Sequence, residues 1–459
     1  MSDEIHINDY KGKRVHFIGI GGCSMNGLAM ILQAKGYIIS GSDRSESSYT
    51  DRLVKQNIPV VIGHDAKNVI GADLVIYTAA VPKDNIEMVK AHELGIPTIE
   101  RAELLGQITS QYETVIGVSG CHGKTTITSM IALILMDAGV DPTIHIGGEV
   151  PFLDGGTKVG NSNIFVTEAC EYVESFLKLH PTIAVVNNID DDHLDYFRDI
   201  DHIYSAFEKY INLLPENGVM FGCLDDPLVN KLMDQTKAHT ISYGISGGNY
   251  TAKDIEYDQN GNATFTLLAN GQEVQNITLN IPGEHNVINA LVASGVCHYV
   301  GVGFESIAKT LNAYRLTKRR FEYYGTVDGV KIFHDYAHHP SEIKACLKAA
   351  QKQPHNKIYC VFQCYLYSRA KTLLNKYATA FDFADEVIIP DIYPGREKDP
   401  GDIHAKDIVN ATKAQGKACE YIQSFEDIKD YLKSKWQPGD LVITMGAGDV
   451  DQQTYKFLD

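Results

Sequence analysis

The chain has no run of eighteen or more apolar residues, no paired cysteines and too little positive charge to balance its acids. Without such a run there is no candidate membrane-spanning helix. The polar opening MSDEIHINDYKGKR offers no apolar segment of the kind a secretory signal needs. The nine cysteines fall without a C-x-x-C pair, and Cys360 and Cys364 merely flank a strand-like run. An odd, dispersed set in a chain of 459 residues excludes a disulfide framework and points to the cytoplasm. Lys and Arg number 41 against 58 Asp and Glu, so the formal charge is −17. That balance excludes the general phosphate attraction on which nucleic-acid binding relies. Neither nucleic acid nor membrane is an expected partner, and phosphates should be bound locally, on small molecules. Low-complexity segments and coiled-coil heptads are missing too. No exposed stripe demands an oligomer.

What is present is alternation. RVHFIGI, YIISGSD, IPVVIG, DLVIYTAA and IPTIE read as strands within the first 110 or so residues, with helical spacing over Met25–Lys35 and Ile86–Leu94. Short, almost continuous apolar strands joined by helices predict a parallel sheet covered on both faces. A second block begins at the strand ETVIGVSG and continues through NIFVTEAC, TIAVVNNID and GVMFGC, with a helix over Ile203–Leu214. Inside it, Tyr250 to Leu279 alternates polar and apolar residues around Asn260-Gly261 and Asn270-Gly271, two hairpin signals. A third block holds a hairpin at Asp328-Gly329 and the strands VKIFHD, KIYCVFQC, EVIIPDI and LVITMGAG. The predicted fold is α/β in three domains. Residues 1–109 form a unit with a parallel sheet, 110–318 an α/β unit with an antiparallel element, and 319–459 a further α/β unit.

The stretch Gly117-Val-Ser-Gly-Cys-His-Gly-Lys-Thr-Thr126 follows a strand and opens a helix. The common phosphate loop is G-x-x-x-x-G-K-[ST], but Val118 stands where its first glycine belongs. What remains is G-x-x-G-K-T, from Gly120 to Thr125. Loop amides and a helix N-terminus converge on an anion, with Lys124 reaching β/γ-phosphates and the Thr125 hydroxyl suited to Mg²⁺. A turn that merely needs glycines does not account for Lys-Thr-Thr. Magnesium takes hard oxygen ligands, and Glu168 ends a strand, where ligands of parallel sheets gather. His193 follows the next strand among Asp190, Asp191, Asp192 and Asp195, of which Asp190 and Asp195 read as caps of the following helix.

The N-terminal turn GIGGCSMNG, with Asp43 at the end of the next strand, approaches a dinucleotide fingerprint, but its spacing is not G-x-G-x-x-G. It supports a diphosphate without saying which. HDYAHHP puts Asp335, Tyr336, His338 and His339 at a strand end, where phosphate or sugar contacts fit better than a metal. Arg369 lies just beyond another strand, at a helix start. A cation there opposes the helix dipole and asks for an anionic partner.

Taken together the chain resembles the Mur ligase family, and within it the alanine-adding branch. The resemblance runs nearly end to end, through HFIGIGGCSMNGLA, ERAELLG, GCHGKTT, EACEY, NNIDDDHLDYF, PGEHNVINA, RRF, DYAHHP, FQCYLYSR, DIYPGRE and TMGAGD. It implies a Rossmann-like N-terminal domain, a central P-loop ATPase domain and a Rossmann-like C-terminal domain. It also implies ATP and Mg²⁺ as cofactors, UDP-N-acetylmuramate and L-alanine as substrates, and a monomer or weak homodimer. Gly120, Cys121, His122, Gly123, Lys124, Thr125 and Thr126 would surround the ATP phosphates. His285 and Asn286 would lie near adenine, and Arg320 and Asp335 on the rest of the nucleotide. Thr125, Glu168 and His193 would hold magnesium. Gly21, Gly22, Ser24, Ser42 and Asp43 would lie beside the UDP portion, with Tyr336, His338 and Arg369 towards the reacting carboxylate. The implied reaction is phosphoryl transfer to the lactyl carboxylate followed by attack of the alanine amine, with Lys124, His193, His338 and Arg369 as catalytic candidates. His338 is preferred to His193 as the base, because a metal-bound imidazole has no free lone pair. The alternative is a recycling ligase that attaches a peptide instead of alanine. Two segments depart from the family pattern: E-A-D-E-S-D-x-S-F is Glu168-Ala-Cys-Glu-Tyr-Val-Glu-Ser-Phe176 here, and F-Q-P-H is Phe362-Gln-Cys-Tyr365.

Overall fold

A computed structural model describes residues 5–153, 155–194, 196–258, 260–315, 319–395 and 397–458. Asp195, and Leu316 to Lys318 at the expected second boundary, lie outside them. The chain forms two compact units. One comprises Met1–Ile189, Tyr204–Ser242 and Val292–Ser306, and the other Asp190–Ile203, Tyr243–Leu291 and Ile307–Asp459.

In the first unit, strands β1 (Arg14–Ile18), β2 (Ile38–Asp43), β3 (Val60–Ile62), β4 (Leu74–Tyr77) and β5 (Thr98–Glu100) make a wholly parallel sheet ordered β3-β2-β1-β4-β5. Four successive buried residues, Val15 to Ile18, show why β1 reads as continuous and not alternating: both faces are covered. A second sheet in this unit draws on β6 (Thr114–Ser119), β7 (Thr143–Val150), β8 (Gly155–Lys158), β9 (Ile164–Glu168), β10 (Ile183–Val186) and β11 (Val219–Cys223), ordered β11-β10-β6-β9-β7-β8. β7 and β8 pair antiparallel and were not foreseen. The glycines of HIGGEV and GGTK dilute the apolar alternation that marks a strand. β12 (His239–Tyr243) follows.

The second unit holds an antiparallel ribbon, β13 (Tyr250–Tyr257), β14 (Asn262–Ala269) and β15 (Gln272–Pro282). It also holds a sheet of β16 (Glu322–Val327), β17 (Val330–Asp335), β18 (Ile358–Phe362), β19 (Glu386–Ile389), β20 (Ala418–Tyr421) and β21 (Leu441–Met445), ordered β16-β17-β21-β18-β19-β20. The predicted α/β class and its three sheets are present, and the ribbon's strands belong, as expected, to the mixed ten-stranded sheet of the phosphate loop. Within its unit the ribbon's end also touches the helix Pro340–Ala350 and the residues that follow it. The Gln353 amide donates to the Asn260 carbonyl, Lys348 pairs with Glu284 at 3.4 Å, and a side chain on Gly261 would meet Lys352 at 3.0 Å.

Two hairpins turn as expected, with both central residues at positive φ: Asn270 and Gly271 at 50° and 78°, Asp328 and Gly329 at 50° and 80°. The third does not. Between β13 and β14 the connection spans 258–261, and the Asp258 carboxylate accepts the amides of Asn260 and Asn262 at 2.7 and 2.9 Å. An Asx-type turn replaces the two-residue one.

Beneath the first sheet, Glu87 is fully buried. Its carboxylate accepts from the Ser42 hydroxyl and, at 2.6 Å, from the Asn68 amide, with His64 Nδ1 at 3.4 Å and His16 Nε2 at 3.7 Å. Burial alone would raise its pKa, but the nearby His16 ring and the bonds from Ser42 and Asn68 hold it down to about 2, from an ordinary 4.5. A depressed carboxylate adds stability above its unfolded value and loses it as pH falls towards the folded one. Glu87→Gln should therefore cost about 3 kcal/mol at pH 7 and about 1 kcal/mol at pH 3 in urea unfolding. A gap that does not change with pH would rule out an ionised Glu87.

Candidate active site

The phosphate loop is built by the first unit. β6 delivers the chain to Gly120, whose φ of +131° only glycine adopts readily, and where a side chain would come within 3.1 Å of Asn188 N. Asn188 Oδ1 accepts from His122 N at 2.7 Å, its carbonyl accepts from Cys121 N, and the Asn187 and Asn188 amides both donate to the His122 carbonyl. The loop is thus fixed in place by the residues that end β10. Gly123, at φ +86°, caps the helix Lys124–Asp137. Thr126 is buried within that helix, and Cys121 in the loop.

Lys124 has 15% of its side chain exposed and is gripped by Glu171, Nζ to the two carboxylate oxygens at 2.9 and 3.0 Å. It also donates to the carbonyls of Gly120 and Cys121 at 2.6 and 3.2 Å. Burial works against the ammonium charge, but Glu171 outweighs it and holds the pKa above its ordinary value. Glu171 is the second glutamate of EACEY and has only 1% of its side chain exposed.

Thr125 and Glu168 come to one edge of β7. A side chain on Gly147 would lie 3.0 Å from Glu168 Oε2, and one on Gly148 3.5 Å from Thr125 Cγ2. Hydroxyl and carboxylate there are the hard oxygen donors that magnesium takes, in a cradle that two glycines leave clear. His193, the third expected ligand, belongs to the other unit.

At the N-terminal turn, Asp43 does structural work. Its Oδ2 accepts from Gly21 N at 2.8 Å and so shapes the turn. Gly22 caps the following helix and is exposed. Ser24 lies at its start, hydrogen-bonded to His145 and Arg101. Ser42 precedes Asp43 on β2. It is fully buried, its hydroxyl donating to Glu87, because strand alternation turns it inward while its neighbour Asp43 stays partly exposed.

The second unit gathers His193, His338 and Arg369 around a residue that sequence reasoning passed over, Asp192. Arg369 Nη2 donates to Asp192 Oδ1 at 2.9 Å, His193 N donates to the same oxygen at 2.7 Å, and His193 Nε2 lies 3.8 Å from Oδ2. Asp192 is buried, which alone would raise its pKa. His193, Arg369 and His338 instead hold it well below the carboxylate range. The anionic partner that Arg369 calls for is therefore internal. Even so, Arg369 Nη1 is buried with no hydrogen-bond partner among the described residues, beside a pocket lined by Asp192, His193, Leu194 and Ser368. Glu397 fixes the helix that carries it, accepting from the Ser368 amide at 3.0 Å and from its hydroxyl.

His338 Nδ1 lies 3.0 Å from the Tyr336 carbonyl and so carries the proton there, leaving the Nε2 lone pair. Burial is the main reason that its pKa falls to about 4. Glu342 accepts from the amides of His338 and His339 and lies 3.9 Å from Arg320. Arg319 and Arg320 both face the Tyr336 ring, at 4.7 and 5.4 Å. Asp335 is occupied by backbone, accepting from Phe321 N and Ala337 N at 2.7 Å each. His285 is exposed, whereas Asn286 is buried with its amide on the Pro282 carbonyl. Asp190 does not cap the next helix. It accepts from the Ser341 hydroxyl and lies 3.6 Å from His339, while Asp199 caps that helix through His202 N at 2.8 Å. The helix begins at Ile200, too far along the chain for Asp190 to reach.

Comparison with known proteins gives these groupings a lineage. Residues 14–113 match the family description "Mur ligase family, catalytic domain", 118–297 "Mur ligase middle domain", and 319–448 "Mur ligase, glutamate ligase domain". The chain is 50% identical over 450 residues to the UDP-N-acetylmuramate–L-alanine ligase of Acetivibrio thermocellus, covering 98% of this chain and 96% of that protein. It is 47% identical to the enzyme of the same name from Caldanaerobacter subterraneus, covering 98% of both. The crystal structure of UDP-N-acetylmuramate-alanine ligase from Thermotoga maritima superposes with a TM-score of 0.81 at 27% identity, over 97% of this chain and 98% of that one. With all three family descriptions matched in order and half the residues shared across almost the whole length, the chain belongs to the Mur ligase family.

Proposed function

We propose that this protein joins L-alanine to the lactyl carboxylate of UDP-N-acetylmuramate, using ATP and passing through an acyl phosphate, in peptidoglycan precursor synthesis. The observation that carries the reading is the short loop Gly120–Thr125. It presents a mostly buried lysine that a carboxylate already neutralises, a seat that exchanges one anion for another. The expected domain limits, 1–109, 110–318 and 319–459, belong to the same reading.

In this scheme the ATP phosphates displace Glu171 from Lys124, and the loop, held in shape by Asn187 and Asn188, presents the N-terminus of the helix that begins at Lys124 to them. Thr125, Glu168 and His193 would hold Mg²⁺, which supplies charge neutralisation on the phosphates when bound. The lactyl carboxylate attacks the γ-phosphorus and ADP leaves. Arg369, aimed by Asp192 and with Nη1 donors in reserve, binds the developing negative charge. The alanine amine then attacks the acyl carbon and phosphate departs. His338 offers its Nε2 lone pair to the amine proton, its tautomer set by the Tyr336 carbonyl.

Purified protein with Mg-ATP and UDP-N-acetylmuramate is expected to release phosphate only when L-alanine is added, and Lys124→Ala to abolish it. Release supported by a peptide and not by alanine would replace this reading with the recycling ligase. Removing the competing carboxylate should free the lysine, so Glu171→Gln is expected to bind metal-free ATP about tenfold more tightly in calorimetry. Equal or weaker binding would mean that Glu171 is not in the nucleotide's way.

A further inference from the structure

The parallel sheet of the first unit reverses its winding between β1 and β4. Ligands of such sheets settle outside the C-terminal strand ends at that reversal. Two helices begin at this edge: Cys23–Ala34, after β1, and Arg101–Thr109, directly after β5. Their first turns are tied together, Arg101 Nη1 donating to Ser24 Oγ at 3.3 Å.

Arg101 is a cation in a poor place for one. It is partly buried, it occupies the first position of its helix, where a positive charge opposes the dipole, and the cap Glu100 makes no side-chain bond there. Among the described residues its hydrogen bond goes to a neutral hydroxyl, and no carboxylate pairs with it. Lys124 and Arg369, comparably placed, each have a carboxylate within 3 Å.

Ser24 is in turn held from below. His145, on β7 and 4% exposed, places Nε2 2.9 Å from Ser24 Oγ and Nδ1 3.3 Å from Thr157 Oγ1. Burial, with the Arg101 charge adding to it, depresses His145 to about 3, so the ring is neutral and acts as donor on one side and acceptor on the other. The helix can lie this close because residue 27 is glycine: a side chain there would come 2.1 Å from Thr157 Oγ1 and 2.9 Å from His145 Nδ1. Thr157, His145 and Ser24 form a rigid polar line that ends on the guanidinium.

We propose that Arg101, steadied by Ser24 and through it by His145, binds the diphosphate of the sugar-nucleotide substrate. Arg101 is the binding residue; His145, which acts through Ser24, is a positioning residue. The assignment rests on the UDP-N-acetylmuramate reading above. It supplies the one charge that the glycine-rich turn lacks, since Asp43 at that turn is acidic and already spent on Gly21 N.

Calorimetric binding of UDP-N-acetylmuramate, UDP and uridine to wild type, Arg101→Met, Arg101→Lys and His145→Gln tests it. Arg101→Met is expected to weaken UDP and UDP-N-acetylmuramate by about tenfold to hundredfold and to leave uridine and the KM for ATP unchanged. Arg101→Lys should recover part of the loss. His145→Gln should lose less than Arg101→Met, and again only for the diphosphates. Equal losses for UDP and uridine, or none, would overturn the assignment and leave Arg101 a scaffold residue. A wild-type protein that bound UDP-N-acetylmuramate no better than uridine would overturn the sugar-nucleotide reading itself.

Discussion

A positive charge taken largely out of water must be answered by a negative one close by, and the rest of this molecule is arranged around that requirement. Lys124 and Arg369 are 15% and 10% exposed, and each is met by a carboxylate that is itself buried, Glu171 and Asp192. Breaking either pair from one side strands a charge, at a cost of about 3–5 kcal/mol. Sequence positions far apart are constrained together as a result. The loop after β6 depends on a glutamate beyond β9, and the helix after β18 depends on an aspartate beyond β10.

The same logic separates groups that hold the site from groups that perform in it. Asp192 touches Arg369 and the His193 amide, and its charge reaches His338, so it holds two candidates in place and acts on a third. Glu342 does the equivalent for the DYAHHP segment, and Glu397 for the helix that carries Arg369. These acids carry their influence through neighbours. Arg369 then shows which donors are committed: Nη2 belongs to Asp192, and Nη1 does not belong to anything among the described residues. A buried unsatisfied donor is costly, and its persistence beside a pocket is an argument about ligand chemistry.

Much of this was legible in the order of residues and some was not, for identifiable reasons. The five-stranded sheet could be read because continuous apolar runs such as Val15–Ile18 occur where both faces are covered. The phosphate loop could be read because Lys-Thr-Thr at a helix start has no packing rationale. The β7–β8 hairpin escaped because its glycines erase periodicity. Asp192 escaped because it stands in a run of three aspartates, and only the fold selects which of them faces Arg369. Ser42 and Asp43 looked equivalent as neighbours, yet strand alternation buries one against Glu87 and leaves the other at the turn.

The ribbon β13–β15 has a consequence for how the protein is made. It leaves the ribosome well before the helix Pro340–Ala350 and the residues after it, against which Asn260, Gly261 and Glu284 pack. The chain also passes between its two units five times, at residues 189–190, 203–204, 242–243, 291–292 and 306–307. Neither unit is therefore a continuous piece that can finish folding as it emerges. During synthesis β12 is already present to pair with β13, but the contacts of the ribbon's end with residues 348–353 have to wait. A gene fragment cut at any one of these crossings would encode neither unit whole.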